Sequence, residues 1–164
     1  PFPLDVSIAA YYIKSTHTPY MKYLERVKEN SKDFETIQSS VVKEAGDYTK
    51  TRYNIVALSL KQLIDAHTDF RELLLLISLL DSQDIPQAFL YSYKPEVIVD
   101  NFIYNLKKYS LVSSEASSDP KGIVSIHRKT QEIILTYLVK TLNLNSDSPL
   151  ICTITTTFEK YIVE

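Results

Sequence analysis

A chain of 164 residues with only two glycines, Gly46 and Gly122, has few folds open to it. Glycine takes φ > 0 without steric cost, so tight hairpins, phosphate-cradling loops and dinucleotide-binding turns all draw on it. Two glycines cannot furnish a β-rich fold with its many turns. Nor can they build a Walker A loop or a Rossmann turn. Helix is what remains, and the many Leu, Lys and Glu residues agree with it. The apolar fraction, 45%, is that of a globular chain and excludes disorder. The length suits one domain with a real core or two small helical ones.

Charge and cysteine narrow the setting. A formal charge of −2 gives no general pull towards nucleic acid or anionic lipid. The single cysteine, Cys152, cannot form an internal disulfide, which fits a reducing compartment and a cytoplasmic location. The longest apolar run, Leu73 to Leu80, is interrupted by Ser78 and is too short to span a bilayer. The chain starts Pro1-Phe2-Pro3, with no Met and no basic stretch of a signal peptide. It reads as an excised piece of a longer protein.

Periodicity divides the chain into elements. A first helix spans 4–14, with Leu4, Ile8, Tyr11 and Tyr12 apolar and Asp5 near its positive end. Thr18 is an N-cap and Pro19 a first helical residue for a second helix, 19–30, with Tyr20, Tyr23, Leu24 and Val27 on one face. Residues 31–46 are open between a short helix and irregular chain. A helix over 49–66 carries Tyr53, Val56, Leu60, Leu63 and Ile64 at helical spacing. Residues 70–80 are apolar nearly all round and predict a central helix. Ser82 to Pro86 is a turn opening a short helix, 86–91. An amphipathic helix from Pro95 to Lys108 turns Val97, Ile98, Phe102, Ile103 and Leu106 inward. The period then changes. Residues 109–113 read as a strand, 114–121 as a polar loop, and 123–126 as a second strand. A helix follows at 128–142. Residues 150–163, rich in Thr, fit a helix or a strand.

These elements predict a mostly α fold. A helical bundle, 1–66, precedes a winged-helix domain, 67–142, with a small two-stranded β-hairpin; 143–164 is a linker and the start of a next element. A winged helix first suggests DNA. Its groove-reading helix would be 96–108, but that helix begins with Glu96 and Asp100, and the loop at 114–121 carries Glu115, Asp119 and one Lys121. Groove reading needs Arg, Asn, Gln or Lys at the leading end and a basic rim. Nucleic acid is therefore disfavoured as a partner.

Catalytic and metal-binding patterns are lacking too. No H-E-x-x-H or paired-cysteine motif occurs, and the histidines, His17, His67 and His127, lie far apart. His17 and His67 fall at helix boundaries, where a surface or capping role is expected. No catalytic residue and no metal ligand is assigned, and the chain is not expected to be an enzyme by itself.

Three segments carry a family resemblance. Pro1 to Ile13 resembles G-L-P-L-A-x-x-x-A-A-x-x-I. Phe70 to Pro86 is similar to A-x-x-L-L-x-L-L-A-x-L-x-P-x-x-I-P. Leu106 to Val112 and Val124 to Gln131 are similar to L-x-x-Y-S-L-V and V-S-V-H-R-L-V-Q. In this order they resemble the helical subdomain and winged helix of the NB-ARC branch of STAND ATPases, the tetratricopeptide-linked kind. The resemblance implies a nucleotide-dependent molecular switch in signalling. The winged helix would help hold ADP in the closed state. Pro3 would pack on the adenine and His127 would reach the β-phosphate, where an imidazolium and a helix N-terminus favour phosphate. Pro1 stands where the family has glycine, and Arg128 where it has the aspartate of M-H-D, as in the tetratricopeptide-linked branch. The implied partners are a P-loop domain of the same parent protein, a repeat or sensor domain downstream, and other proteins. ADP or ATP would bind only the full-length protein and not this piece. Two alternatives stand beside this reading: a stand-alone helical protein-interaction domain without nucleotide, and, third, a winged-helix DNA-binding domain.

Overall fold

The structure, a computed structural model, describes residues 3–37, 47–113 and 122–163. The described residues form eight helices and three short strands: α1 (Pro3–Thr16), α2 (Tyr20–Ile37), α3 (Asp47–Ala66), α4 (Phe70–Leu79), β1 (Ile85–Pro86), α5 (Gln87–Tyr93), α6 (Glu96–Lys108), β2 (Val112–Ser113), β3 (Ile123–Ile126), α7 (Arg128–Thr141) and α8 (Pro149–Val163). The mostly helical expectation holds. The loop expected at 114–121 lies outside the described residues, as do Pro1 and residues 38–46.

Local chemistry explains the breaks. Pro3 opens α1, a position where its missing N–H is no loss. His17 at φ 50 takes the left-handed conformation that ends the helix. The second helix is longer than its pattern suggested, since 31–37 continue it. Phe70, Leu73, Leu74, Leu75, Leu76 and Ile77 in α4 are fully buried, so the all-round apolar run is indeed central. Each such side chain contributes roughly 1.5–3 kcal/mol by leaving water. No glycine closes α4. Its orphan carbonyls are met from a distance instead: Gln131 Nε2 donates to Ile77 O at 2.9 Å and to Leu80 O at 2.8 Å.

The small sheet differs from the expected hairpin. Strand β3 lies between β1 and β2, antiparallel to both, with Ile85 opposite Val124 and Val112 opposite Ile126. Ile85 and Pro86 were expected in a turn. They pair because Ile85 fills a core position, 2% exposed, and because Pro86 needs no N–H at a sheet edge. Gly122, at φ 52, turns the chain into β3, and its carbonyl accepts from Gln87 N–H at 2.8 Å. The other strand is shorter than expected, because Tyr109 and Ser110 form the turn that ends α6.

The Thr-rich segment is a helix. Thr153, Thr155, Thr156 and Thr157 each donate to the carbonyl four residues back. Helix α8 packs on α5, where Phe89 meets Phe158 at 5.2 Å and Tyr161 at 4.7 Å between ring centres. One apolar cluster runs from Ile8 through α3, α4, α6 and α7 to Ile154. The break expected between 66 and 67 coincides with the end of α3, but α3 packs on α7 as well as on α1 and α2.

Inward faces followed the periodicity in α3, where Tyr53, Val56, Leu60 and Leu63 are buried. They departed from it elsewhere. Tyr11 and Tyr20 are 42% and 61% exposed. In α6 it is Val99 that is buried, while Val97 is 81% exposed. Three adjacent apolar residues cannot all face one side of a helix.

Candidate functional site

Strand β3 is held on both sides, and its last residue, Ile126, is fully buried. The chain then emerges at His127, whose extended backbone (φ −65, ψ 128) makes it the N-cap of α7. His127 Nδ1 accepts from Lys129 N–H at 3.2 Å. A nitrogen that accepts carries no proton, so this hydrogen bond leaves Nε2 as the position for the ring N–H. The exposed ring thus caps the helix through Nδ1 and leaves Nε2 facing outward from the cap bond.

The first turn of α7 contains no acid. It carries Arg128 and Lys129, with side chains 83% and 61% exposed. Both lean on Glu132, at 3.7 Å and 2.8 Å. Exposed pairs of this kind hold by only about 0–1 kcal/mol. Two cations at the positive end of a helix are mutually unfavourable, and an arriving anion relieves that arrangement. Beneath this turn the next residues are anchored: Thr130 and Gln131 are buried, and Gln131 ties α7 to the end of α4. The junction is therefore a rigid base with a cationic, N–H-rich tip. It can bind an anion; it holds no nucleophile paired with a base. No cluster of metal-ligating side chains occurs among the described residues.

Pro3, the other expected site residue, is exposed at the first position of α1. No hydrogen bond or ion pair joins it to His127. The two elements are linked indirectly. Ser7 and Ser110 share a hydrogen bond of 2.9 Å, and Ser110 lies two residues before Val112, which pairs with Ile126. The N-terminal half of α1 is thus fastened to the strand beside the one that delivers His127. The first helix is fastened again by Asp5. Sequence suggested a helix-dipole role for it. Asp5 does stand in the first turn of α1, and it is also buried, its carboxylate accepting from Arg52 of α3 at 2.7 Å and 3.4 Å.

The other two histidines lie at helix boundaries, His17 exposed after α1 and His67 before α4. His67 Nδ1 accepts from Asp69 N–H at 3.2 Å, and its ring stacks on Phe70. Sequence reasoning gave no sign of the nearby clamp. Lys94 Nζ lies 2.7 Å from both Asp69 and Glu72, and the Tyr93 hydroxyl donates to Glu72 at 3.0 Å. The hydrogen bond from Lys94 holds the Asp69 carboxyl below its ordinary range. Burial works against the Lys94 charge, but its two carboxylate partners outweigh burial and its pKa stands raised. A cavity of about 480 Å³ lies between the starts of α4 and α8, lined by Thr68, Arg71, Glu72, Leu142, Leu144 and Leu150 among others. Neither Pro3 nor His127 lines it. Compared with family models, with curated proteins and with solved structures, the chain matches none.

Proposed function

We propose that residues 67–142 form a winged helix and that the chain is the regulatory half of a STAND-type, nucleotide-dependent switch. In the full-length protein a P-loop domain would close on it. The winged helix would then help to hold ADP, with His127 Nε2–H and the first turn of α7 facing the β-phosphate and Pro3 against the adenine. The order α4, β1, α5, α6, β2, β3 with β3 between the other strands supports the winged-helix part, because that arrangement is the one such domains have. The single observation that carries the nucleotide part is the acid-free, cationic start of α7 capped by His127.

Hydrolysis would belong to the P-loop domain, which supplies the lysine and the Mg²⁺ ligands in such proteins. This chain would contribute a clamp that favours one conformation by its differential contact with ADP. The test is ADP dissociation from a chain that includes the P-loop domain. His127→Asn keeps an N-cap acceptor but removes the ring N–H that would face the phosphate. ADP should leave roughly tenfold faster, which is about 1.4 kcal/mol of lost contact. Unchanged ADP retention would remove the assignment.

A reading as a protein-interaction module is favoured by one separate observation, the exposed apolar residues of α6. The acidic start of that helix argues against duplex DNA as what it meets.

A further inference from the structure

Helix α6 buries Val99, Phe102, Ile103 and Leu106 against the core and leaves its opposite face open. On that face Val97 is 81% and Tyr104 65% exposed. At about 100° per residue, Val97, Asn101, Tyr104 and Lys108 fall on one narrow stripe, with the spacing of a coiled-coil seam. Glu96, Asp100 and Lys107 fall together along one edge of that stripe. Among the described residues no ion pair engages any of the three; Asp100 accepts a hydrogen bond from the Tyr91 hydroxyl, at 2.8 Å. An exposed β-branched residue and an exposed tyrosine one heptad apart, bordered by uncommitted charges, have the composition of a contact surface.

We propose that this face pairs with the same face of a second copy of the chain, antiparallel, about a two-fold axis across the helix. A two-fold contact joins identical surfaces, so the stripe must complement its own reverse. It does. One register sets Lys108 opposite Val97 of the second copy, where its methylene stem covers the valine. Tyr104 then lies opposite Asn101, and Lys107 between Glu96 and Asp100. In an antiparallel pair each edge meets the same edge running backwards, so the acidic start of one helix faces the basic end of the other. In a parallel pair this edge would instead meet the other edge of the partner helix, which carries Ile98 and Asn105, and its charges would find no complement. Charge thus selects both the partner and its direction. The stripe is one short helix, so the dimer is weak and salt-sensitive. The inference does not depend on the nucleotide reading.

Sedimentation velocity on the whole chain tests it. The wild type should shift from monomer towards dimer with rising concentration, less so in high salt. Lys107→Glu makes the edge wholly acidic, and Glu96→Lys with Asp100→Lys makes it wholly basic. Each variant alone should lose self-association at least tenfold while keeping its circular dichroism. An equimolar mixture of the two should associate again. A wild type monomeric up to about 1 mM, a dimer indifferent to Lys107→Glu, or variants that fail to pair when mixed would each overturn the proposal, as would a salt-dependent shift of duplex DNA by monomeric chain.

Discussion

The two ends of the core are held together by different physics. From α4 to α7 the interior is apolar: Phe70, Leu73 to Leu76, Phe102, Ile126, Ile134 and Leu138 are all fully buried, and Ser78, Thr130 and Gln131 are its buried polar exceptions. Between α1, α2 and α3 the interior is partly polar. Asp5 pairs with Arg52, and Arg26 donates to the Tyr12 hydroxyl at 3.2 Å and to Thr18 at 3.1 Å. Among the described residues, the Tyr23 hydroxyl, Asn54 Oδ1 and Ser59 Oγ are buried without a hydrogen-bond partner. Burial, with Tyr12 and Asp5 nearby, pushes the Tyr23 hydroxyl well above its ordinary range. Apolar burial is non-directional and tolerates small shifts, whereas polar pairs are strong only when every partner is in place. The difference gives α4–α7 the character of a rigid body that presents His127. Helices α1 and α2 share that apolar core through Ile8, Tyr12 and Tyr23, and depend in addition on directional polar contacts.

Breaking the apolar end should cost most. Leu75→Ala in the middle of α4 is expected to lose about 3–5 kcal/mol, with α1–α3 destabilised along with it because the core is shared. Urea unfolding measures this as one lowered midpoint. Breaking the polar end should cost less and act locally. Asp5→Ala leaves the Arg52 guanidinium partly buried without its carboxylate, and about 2–3 kcal/mol is expected. Limited proteolysis should then cut α1 and α2 before α4–α7. Gln131→Ala is predicted to remove about 1–2 kcal/mol, since two carbonyls at the end of α4 lose their donor.

The smallest effect is expected at the half-exposed clamp. Lys94→Met should cost about 1 kcal/mol near neutrality, after allowance for solvent. Its pH window follows from the signs. The Asp69 pKa is depressed, so its contribution is present above the usual carboxylate range and fades as pH falls through its folded value. The Lys94 pKa is raised, so its contribution is full below the usual lysine range and fades as pH rises through its folded value. Denaturation of both proteins should show the gap at pH 7 and a narrowing at about pH 3.

Much of the architecture was legible because helical periodicity is local. Val56, Leu60 and Leu63 declare α3 by themselves, and the run in α4 declares its central place. His127 was legible as the junction of a strand and a helix. Other features depend on distant residues. Strand β1 hides in Ile85-Pro86, two residues that read as a turn until β3 is beside them. Gln131 lies in a recognisable motif, yet its task is set by carbonyls more than fifty residues earlier. Asp5 near a helix start suggested a dipole contact, and only the packing of α3 reveals Arg52. The cap bond from Lys129 N–H to the His127 ring was not legible, because it is a matter of backbone geometry.

The contrast between the two ends is tested most directly by native-state hydrogen exchange. The amides of α4 and α7 should exchange only through global unfolding, while those of α1 and α2 open at a lower free energy that Asp5→Ala lowers further. Equal protection across both ends, or α4 opening before α1, would contradict the account.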